Sequence, residues 1–216
     1  MLTGWIIMKF NTYLANKKTL NIIQDTSIQE VILEHKILSR IGMLDTRSLL
    51  YLTDAAIESG LSPILQWDLL CTESNFGDCI NLIENLPVSK FAAIRIQDIG
   101  AAEWVRNKLP EFPIHFIVET GNHNLTGLLR WHDYFGQQLQ RLALSSELPI
   151  STLKNYCRSL DVPCEILVAG RILLFYTPRK LFSNYESSKN TFDFIEKILV
   201  PSDQPQRQFY TLENQN

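Results

Sequence analysis

The sequence is poor in cysteine, has no excess of positive charge and contains no long apolar run. Only four cysteines occur in 216 residues and none of them forms a CxxC pair, which argues against a zinc ribbon and against a redox dithiol motif. The formal net charge is −3, so no bulk positive field draws the chain to nucleic acid or to a membrane. A local basic patch is compatible with this charge.

Familiar hydrolase motifs are also missing. Neither an HExxH metal motif nor a GxSxG nucleophile elbow occurs in the sequence. The apolar stretch Met1–Ile7 is too short for a secretory signal or a membrane span, and we interpret residues 1–8 as an N-terminal extension. Together with the few cysteines, this indicates a cytoplasmic protein without a membrane partner.

An apolar run that ends in polar residues and is followed by an amphipathic stretch recurs about six times. Strands that alternate with helical stretches at this spacing are typical of parallel β/α units. A further short strand is predicted over Lys9–Leu14. The six main runs are Gln29–Lys36, Pro63–Leu70, Phe91–Asp98, Pro113–Glu119, Arg141–Leu148 and Cys164–Arg171.

Each predicted strand has one apolar face and one face that becomes charged. In Phe91–Asp98, Arg95 and Gln97 share a face, whereas Ile94 and Ile96 share the other, because side chains alternate across a strand. A TIM-type β/α barrel explains this pattern, since apolar faces would meet the helices and polar faces would point inward, toward a site at the C-terminal mouth. The carboxylates that could partner an inward Arg95 are Asp68, Glu119, Glu147 and Glu165. The alternative is a structural ion-pair network that fills the barrel without catalysis.

The barrel is predicted to span residues 9–183 and to be incomplete. A closed eight-stranded barrel typically needs about 250 residues, and the sequence offers about six β/α units. Residues 184–216 are polar with little apolar periodicity, and we interpret them as a tail or as the start of a truncated barrel remainder. The barrel is therefore open, completed by a partner, or truncated. An open barrel would expose strand edges, which favours a homo-oligomer.

The predicted mouth carries side chains suited to acid–base chemistry. Glu119 and Glu147 each end a strand and can act as an acid and a base, with His123 as a further proton carrier. The alternative for His123 is a turn residue, and for the asparagines beside it an Asx turn that caps the next helix. The predicted catalytic residues are Asp68, Arg95, Glu119, His123 and Glu147, and the predicted ligand-binding residues at the mouth are Gln97, Asn122 and Asn124.

A basic cluster after the last predicted strand forms a second candidate ligand site. It consists of Arg171, Arg179 and Lys180. Guanidinium groups bind phosphate or carboxylate through two parallel hydrogen bonds, and late loops of β/α barrels often hold phosphates. A small anionic ligand or an RNA backbone would fit this cluster. The alternative is a solvated loop.

Several stretches together resemble the peptidase U32 family. They read FAAIRIQDIGAAEWV at Phe91–Val105, IHFIVETGNHNL at Ile114–Leu125 and CEILVAGRILLFYTPRKLFS at Cys164–Ser183, the last together with LSSEL at Leu144–Leu148. The resemblance implies a β/α barrel and, by the family's name, a protease or other hydrolase. It equally implies RNA modification, because better-understood branches look like oxygen-independent hydroxylation factors for tRNA, ribosomal RNA or a ubiquinone precursor.

The cluster ligands of that family are missing from this sequence. Several relatives hold an iron–sulfur cluster on cysteines, but Leu173 and Lys180 stand at the two cysteine positions of the family signature, and Pro178 replaces its inner glycine. Neither leucine nor lysine can replace a thiolate. We therefore expect no cluster, no metal and no other cofactor.

Three functions remain open at this point. The first is a U32-like protease or hydroxylation-type enzyme that lacks the cluster cysteines. The second is a non-catalytic binding subunit, or pseudoenzyme, for an anionic ligand, a peptide or RNA, which pairs with a cysteine-bearing paralogue or with a second copy of itself. The third is a truncated, nonfunctional fragment of a longer protein.

Overall fold

A parallel sheet built in sequence order forms the centre of the protein. The computed structural model describes residues 8–119 and 124–170. In these ranges seven strands are hydrogen-bonded in the order β1-β2-β3-β4-β5-β6-β7, and all the pairings are parallel. Helices occupy the connections between the strands. This is the arrangement of an incomplete TIM-type barrel, and the predicted fold class is confirmed.

The elements follow the predicted alternation with two differences. The strand predicted over Cys164–Arg171 is observed only as Cys164–Glu165, and residues 166–170 are exposed. The sequence pattern does not predict the first helix. The strands are β1 Asn11–Tyr13, β2 Glu30–Glu34, β3 Ser62–Trp67, β4 Ala93–Ile96, β5 Ile114–Ile117, β6 Leu139–Ala143 and β7 Cys164–Glu165. The α-helices in the described ranges are α1 Lys17–Ile23, α2 Thr46–Glu58, α3 Glu73–Asn85, α4 Ile99–Lys108, α5 Leu125–Phe135 and α6 Ile150–Ser159.

The chain divides into two compact units, Met1–Leu167 and Val168–Asn216. All the strands and helices named above belong to the first unit. The predicted tail over residues 184–216 lies outside the described residues. None of the helices within residues 8–119 and 124–170 combines the length and the apolar character that a membrane span requires.

Polar residues in the loops that follow β2, β4 and β5 cap the N-termini of the next helices. Asp45 Oδ1 accepts from the backbone N–H three residues further on at 2.8 Å, at the start of α2. Asp98 does the same at the start of α4 at 2.9 Å, and Asn124 at the start of α5 at 2.8 Å. Each bond satisfies an N–H group that has no partner within the helix. For Asn124, the structure shows the helix cap that the sequence analysis gave as the alternative to ligand binding.

The sheet separates an apolar outer layer from a polar interior. The inner faces of the strands carry polar side chains that are buried, as the alternation along the strands predicts. These are Glu30, Gln66, Arg95 and His115. Burying such groups costs free energy unless they are paired, so the interior must be a network. The outer faces pack against the helices in one continuous core, which includes Leu33, Leu65, Ile94, Phe116 and Leu142.

The sheet curls, so that its first and last strands approach each other through their side chains. Asn11 on β1 donates its amide N–H to Glu165 Oε2 on β7 at 2.9 Å. A flat sheet with strands about 4.8 Å apart would hold β1 and β7 roughly 29 Å from each other. The contact between Asn11 and Glu165 therefore requires strong curvature, and it encloses the polar interior.

Candidate functional site

An ion-pair network joins strands near the amino-terminal end of the interior. Arg141 Nη1 on β6 lies 2.6 Å from Glu30 Oε2 on β2, and Arg141 Nη2 lies 2.9 Å from Glu30 Oε1. Arg141 also approaches Glu165 at 3.3 Å, and Lys9 approaches Glu30 at 3.3 Å. Burial alone would raise the pKa of Glu30, but the hydrogen bonds and the charge of Arg141 outweigh burial and lower this pKa. Glu30 is therefore a charged group that holds the interior together.

Arg95 on β4 lies at the centre of the interior and is only 5% exposed. Its guanidinium contacts Glu165 at 2.8 Å, Gln66 Oε1 at 3.1 Å and Glu119 Oε1 at 3.4 Å. Burial would lower the pKa of Arg95, but the charges of Glu165 and Glu119 help to raise it. Of the carboxylates that the sequence predicts as partners of Arg95, Glu165 and Glu119 contact it.

A clamp between Asp68 and Arg40 fixes the loop after β2 to the end of β3. The backbone N–H of Arg40 donates to Asp68 Oδ1 at 3.0 Å, and Arg40 Nε donates to Asp68 Oδ2 at 2.7 Å. Both side chains are largely buried, with 11% of Arg40 and 4% of Asp68 exposed. Because both carboxylate oxygens are engaged, we interpret Asp68 as a group that positions the loop rather than one that carries protons.

Glu34, at the carboxyl end of β2, is a titratable group outside the predicted set. Its Oε1 is buried and has no hydrogen-bond partner among the described residues. Burial and the charge of Asp68 raise the pKa of Glu34 to about 7, against the opposing charges of Arg95 and Arg40. A carboxyl group with such a pKa can accept or donate a proton near neutral pH. Glu34 shares the inner face with Ile32, so the alternation of the strand is a signal that points to it.

Tyr13, at the end of β1, adds a phenol to the same region. Burial raises the pKa of Tyr13, the charge of Arg95 opposes this increase, and the charge of Glu34 adds to it. The residue is 43% exposed, and the charges of Arg95 and Glu34 act on its hydroxyl group. Since the raised pKa keeps the phenol protonated at neutral pH, Tyr13 can donate a hydrogen bond there.

Two neighbouring polar atoms on the inner face lack hydrogen-bond partners within the described part of the chain. Gln66 on β3 lies next to Glu34 in the register of β2 and β3. Gln66 Nε2 is a buried donor and Glu34 Oε1 is a buried acceptor, and neither has a partner. Such groups are nearly always satisfied, so these two atoms are candidates for contact with water or with a polar ligand. Glu119, with 28% of its side chain exposed, also contacts the central arginine. We call Tyr13, Glu34, Gln66, Arg95 and Glu119 the mouth group.

Comparison with protein families identifies the family to which this half-barrel belongs. The sequence profile of peptidase family U32 matches residues 39–192, which is most of the chain. The chain belongs to peptidase family U32. The resemblance seen in the sequence is therefore confirmed.

Two known proteins show how far the U32 likeness extends. The tRNA hydroxylation protein P of Escherichia coli (strain K12) is 29% identical over 99 residues, which cover 45% of this chain and 21% of that protein. The matched part thus spans about a fifth of the length of that relative. The solved structure of the U32 peptidase Mk0906 superimposes with a TM-score of 0.56 over 94% of this chain and 84% of that chain, at 15% identity. At this identity the likeness concerns the fold, and it supports the β/α barrel.

The four cysteines do not converge on a cluster site of the kind that the U32 resemblance implies. All of them are free thiols within the described residues, with Cys71 between β3 and α3, Cys79 on α3, Cys157 on α6 and Cys164 on β7. An iron–sulfur cluster needs its ligands, mainly thiolates, in one place. Among the described residues, no three or more His, Cys, Asp or Glu side chains are arranged to hold a metal ion. These residues therefore do not fit an iron–sulfur cluster.

The other predicted site residues do not belong to the mouth group or lie outside the described residues. Because β6 ends at Ala143, Glu147 lies in an exposed turn and does not continue the inward face. Gln97 is buried just beyond β4, with its backbone N–H bonded to the carbonyl of Trp67. Asn124 caps α5. The predicted residues outside the described ranges are Asn122, His123, Arg171, Arg179 and Lys180, and their roles stay predictions.

Proposed function

We propose that this protein binds an RNA substrate at the mouth group and takes part in its hydroxylation, with Glu34 carrying a proton to or from the reacting nucleoside. The observation that carries this proposal is the Glu34 carboxyl group, which has a pKa of about 7 and a buried Oε1 without a partner among the described residues. General acids and bases work best when their pKa lies near the working pH. Catalytic groups of β/α barrels lie at the carboxyl ends of the strands, where Glu34 is found.

The similarity to tRNA hydroxylation protein P supports RNA over a peptide as the substrate. A nucleoside presents donors and acceptors side by side, and these match the unsatisfied Gln66 Nε2 and Glu34 Oε1. The buried cation of Arg95 would stabilise negative charge that develops on a base or lies on a phosphate. The mouth group thus offers both recognition and charge stabilisation to such a substrate.

The proposed reaction divides between this chain and a partner. Conversion of a carbon–hydrogen bond into a carbon–hydroxyl bond, with water as the source of oxygen, releases two protons and two electrons. Glu34 would take up one of the protons and solvent water the other. The two electrons require an acceptor outside this chain, for which we propose a cysteine-bearing paralogue whose iron–sulfur clusters take them one at a time, since no three or more His, Cys, Asp or Glu side chains of the described residues are arranged to hold a metal ion.

The test measures modified nucleosides in RNA from cells whose only copy of the protein is wild type, Glu34→Gln or Glu111→Gln. We expect Glu34→Gln to abolish the hydroxylated nucleoside without lowering the melting temperature, because glutamine keeps the size of the side chain and removes only its proton chemistry. Glu111 is exposed between α4 and β5, so Glu111→Gln is the matched control. Full nucleoside content in the Glu34→Gln cells contradicts the acid–base role. Full content after deletion of the gene contradicts the proposed function as a whole.

A second candidate function is a binding subunit without catalysis. It is favoured by the observation that no three or more His, Cys, Asp or Glu side chains among the described residues are arranged to hold a metal ion. In that case Glu34→Gln leaves the nucleoside content unchanged, while RNA binding depends on the basic cluster. We then expect Arg179→Ala to weaken RNA binding and to reduce the slope of log K against log salt by about one. Arg130→Ala on α5, where the side chain is 80% exposed, is the control.

A further inference from the structure

A buried histidine joins the two ends of the loop between β2 and α2. His35 directly follows β2 and is only 1% exposed. Its Nδ1 accepts the backbone N–H of Ile37 at 3.1 Å, and its Nε2 lies 3.3 Å from Oγ1 of Thr46, the first residue of α2. The imidazole ring therefore connects the beginning of the loop with the helix that follows it. We call residues 36–44 the mouth loop.

The two contacts of the ring fix its protonation state. A backbone N–H can only donate, so Nδ1 must offer a lone pair to Ile37, and the proton of the neutral ring then lies on Nε2. In this tautomer Nε2–H donates to the hydroxyl oxygen of Thr46. A second proton can enter only at Nδ1, where it would point at the N–H of Ile37. Because two donors cannot share one hydrogen bond, a charged His35 is incompatible with the observed loop.

The mouth loop folds back closely on the backbone of His35. The carbonyl oxygen of His35 accepts the N–H groups of Leu38 and Ser39, both at 3.0 Å. A Cβ at Gly42 would lie 2.5 Å from the same oxygen, so the loop returns to within van der Waals contact of the residue at which it begins. Such a loop has little space in which to absorb a displacement of the His35 ring.

The mouth loop also contacts the carboxyl end of β3. Ser39 Oγ donates to the backbone carbonyl of Gln66 at 3.2 Å. The next residue, Arg40, clamps Asp68 through its backbone N–H and through its guanidinium. These contacts bridge the first two units of the sheet beside Glu34, the residue that precedes His35. Release of the loop would break them and open the mouth between β2 and β3.

The charges that act on His35 come from Lys36 and from Asp45, the cap of α2. Burial lowers the pKa of His35, the charge of Lys36 lowers it further, and the charge of Asp45 opposes the decrease. The ring is therefore neutral in the folded chain at neutral pH and takes up a proton only in acid. The other titratable groups on the elements that adjoin the loop are Glu34 on β2, Arg47 on α2, Cys79 on α3 and the ion pair of Arg40 with Asp68.

We propose that His35 is a pH-sensitive switch, in which a proton on Nδ1 breaks the bond with Ile37 and releases the mouth loop, so that the mouth opens in acid. The closed loop excludes the extra proton, whereas the open loop accepts it. The closed form is therefore fully favoured above the ordinary pKa of 6.5 and loses its advantage as the pH falls through the lower folded value. This opening needs no ligand, so it does not depend on the proposed RNA hydroxylation.

The test measures backbone hydrogen exchange of the full-length chain by mass spectrometry between about pH 7.5 and pH 5, with correction for the intrinsic exchange rates. In the wild type we expect peptides of the mouth loop to lose protection about tenfold for each pH unit below 6.5, until the folded pKa of His35 is reached. Peptides that contain β4 should stay protected throughout, which separates opening of the loop from unfolding of the whole chain.

His35→Asn is the variant that keeps the hydrogen-bond acceptor and removes the titration. An asparagine Oδ1 can accept the N–H two residues further on, as in an Asx turn, and its amide takes up no proton in this pH range. We expect the mouth loop of His35→Asn to show the same protection at every pH. His132→Asn is the matched control, because 34% of the His132 side chain on α5 is exposed. It should leave the wild-type pH response of the loop intact.

Two results would overturn the proposal. The first is constant protection of the wild-type mouth loop down to pH 5, and the second is an equal loss of protection in His35→Asn. If His35→Asn does not fold, nitrogen NMR of the wild-type ring decides. The proposal requires the proton on Nε2 at neutral pH and a charged ring at the pH at which the loop opens. A neutral ring with its proton on Nδ1, or a ring that is still neutral when the loop has opened, contradicts it.

Discussion

Arg141 and Glu30 form a two-point ion pair across the inside of the curled sheet, although 111 residues separate them in the sequence. The two N···O distances are 2.6 and 2.9 Å, and only 12% of the arginine and 7% of the glutamate side chain are exposed. These residues lie on β6 and β2, which are four positions apart in the sheet. The curvature of the half-barrel therefore depends on side-chain contacts as well as on the twist of its strands.

Removal of the Arg141 side chain should destabilise the fold strongly. Among the described residues, Arg141→Ala leaves Glu30 with Lys9, a largely exposed cation, as its ion-pair partner, and a buried charge that loses its main partner costs about 3 kcal/mol of unfolding free energy. Urea denaturation measures the loss. Arg130→Ala is the control, since Arg130 pairs with Asp133 at the surface at 3.5 Å and its loss should cost under about 0.5 kcal/mol. Similar losses in the two variants would contradict this role for the interior pair.

The two carboxylates that contact Arg95 should contribute unequally to the unfolding free energy. Glu165 lies 2.8 Å from Arg95, with 13% of its side chain exposed, whereas Glu119 lies at 3.4 Å, with 28% exposed. We expect Glu165→Gln to lower the unfolding free energy by about 2 kcal/mol and Glu119→Gln by under about 1 kcal/mol. Parallel denaturation curves test this order. A reversed order would make Glu119 the structural member of the pair and would remove it as a candidate for catalysis.

The contribution of Glu34 to stability should decrease as the pH rises toward neutrality. Its pKa is about 7 in the folded chain and 4.5 in the reference state, so between these values the folded state holds an extra proton and unfolding becomes easier as the pH rises. Partial exposure limits the effect to roughly 2 kcal/mol. Thermal unfolding across the range measures it. Glu34→Gln should remove the slope and be more stable than wild type above neutrality, whereas Glu111→Gln should change neither.

At acid pH, the carboxylates of Glu30 and Glu165 make stability increase as the pH rises. Burial would raise the pKa values of Glu30 and Glu165, but their arginine partners lower both. The stability that they contribute is present above the reference pKa of 4.5 and is lost as the pH falls through their lower folded values. Burial lowers the pKa of His115 to about 3, so this residue also makes stability rise with pH up to its unfolded value of 6.5. The contribution of Glu34 is therefore measured as the difference in stability between wild type and Glu34→Gln. A difference that stays constant between pH 4.5 and 7 would rule out the raised pKa of Glu34.

Substitution of alanine for two different glycines should change the stability of the protein in opposite directions. A Cβ at Gly42, in the loop after β2, would lie 2.5 Å from the carbonyl oxygen of His35. Gly42→Ala should therefore cost about 1–3 kcal/mol and disturb the clamp formed by Arg40 in the same loop. Gly77 on α3 has nothing within 4 Å of its Cβ position, and Gly77→Ala should stabilise the helix by about 0.5–1 kcal/mol. Denaturation curves that shift in the same direction for both variants would contradict this expectation.

The period of two along a strand predicts the inner face where a strand is regular. It assigns Asp68 and Arg95 to the interior, and the structure buries them to 3% and 5% exposure. This inference needs no knowledge of neighbouring strands, because alternation follows from the backbone alone. Glu147 marks its limit. The chain leaves β6 at Ala143 and turns, so the period no longer applies four residues later. How far a strand extends depends on its neighbours, which the local sequence does not encode.

Some site residues were not predicted from the sequence, because their roles depend on contacts between different β/α units. Glu34 resembles the solvated end of a strand, and its raised pKa arises partly from Asp68, which belongs to the next unit. Arg40 lies in a loop without periodicity, and its partner follows a different strand. The helix α1 is also not predicted from the sequence. Its buried residues are Leu20 and Ile23, and this amphipathic pattern is too short to recognise.

The sequential order of the strands has a consequence for how the chain is synthesised. Each strand pairs with the one translated just before it, so the sheet can grow one unit at a time as the chain leaves the ribosome. The interior cannot follow this schedule, because Glu30 meets Arg141 only 111 residues later, roughly 6–20 s at usual elongation rates. The inward faces therefore remain hydrated while the outer core is already packed. A nascent chain released before Arg141 would have much of its sheet but a carboxylate-lined interior without its main cation.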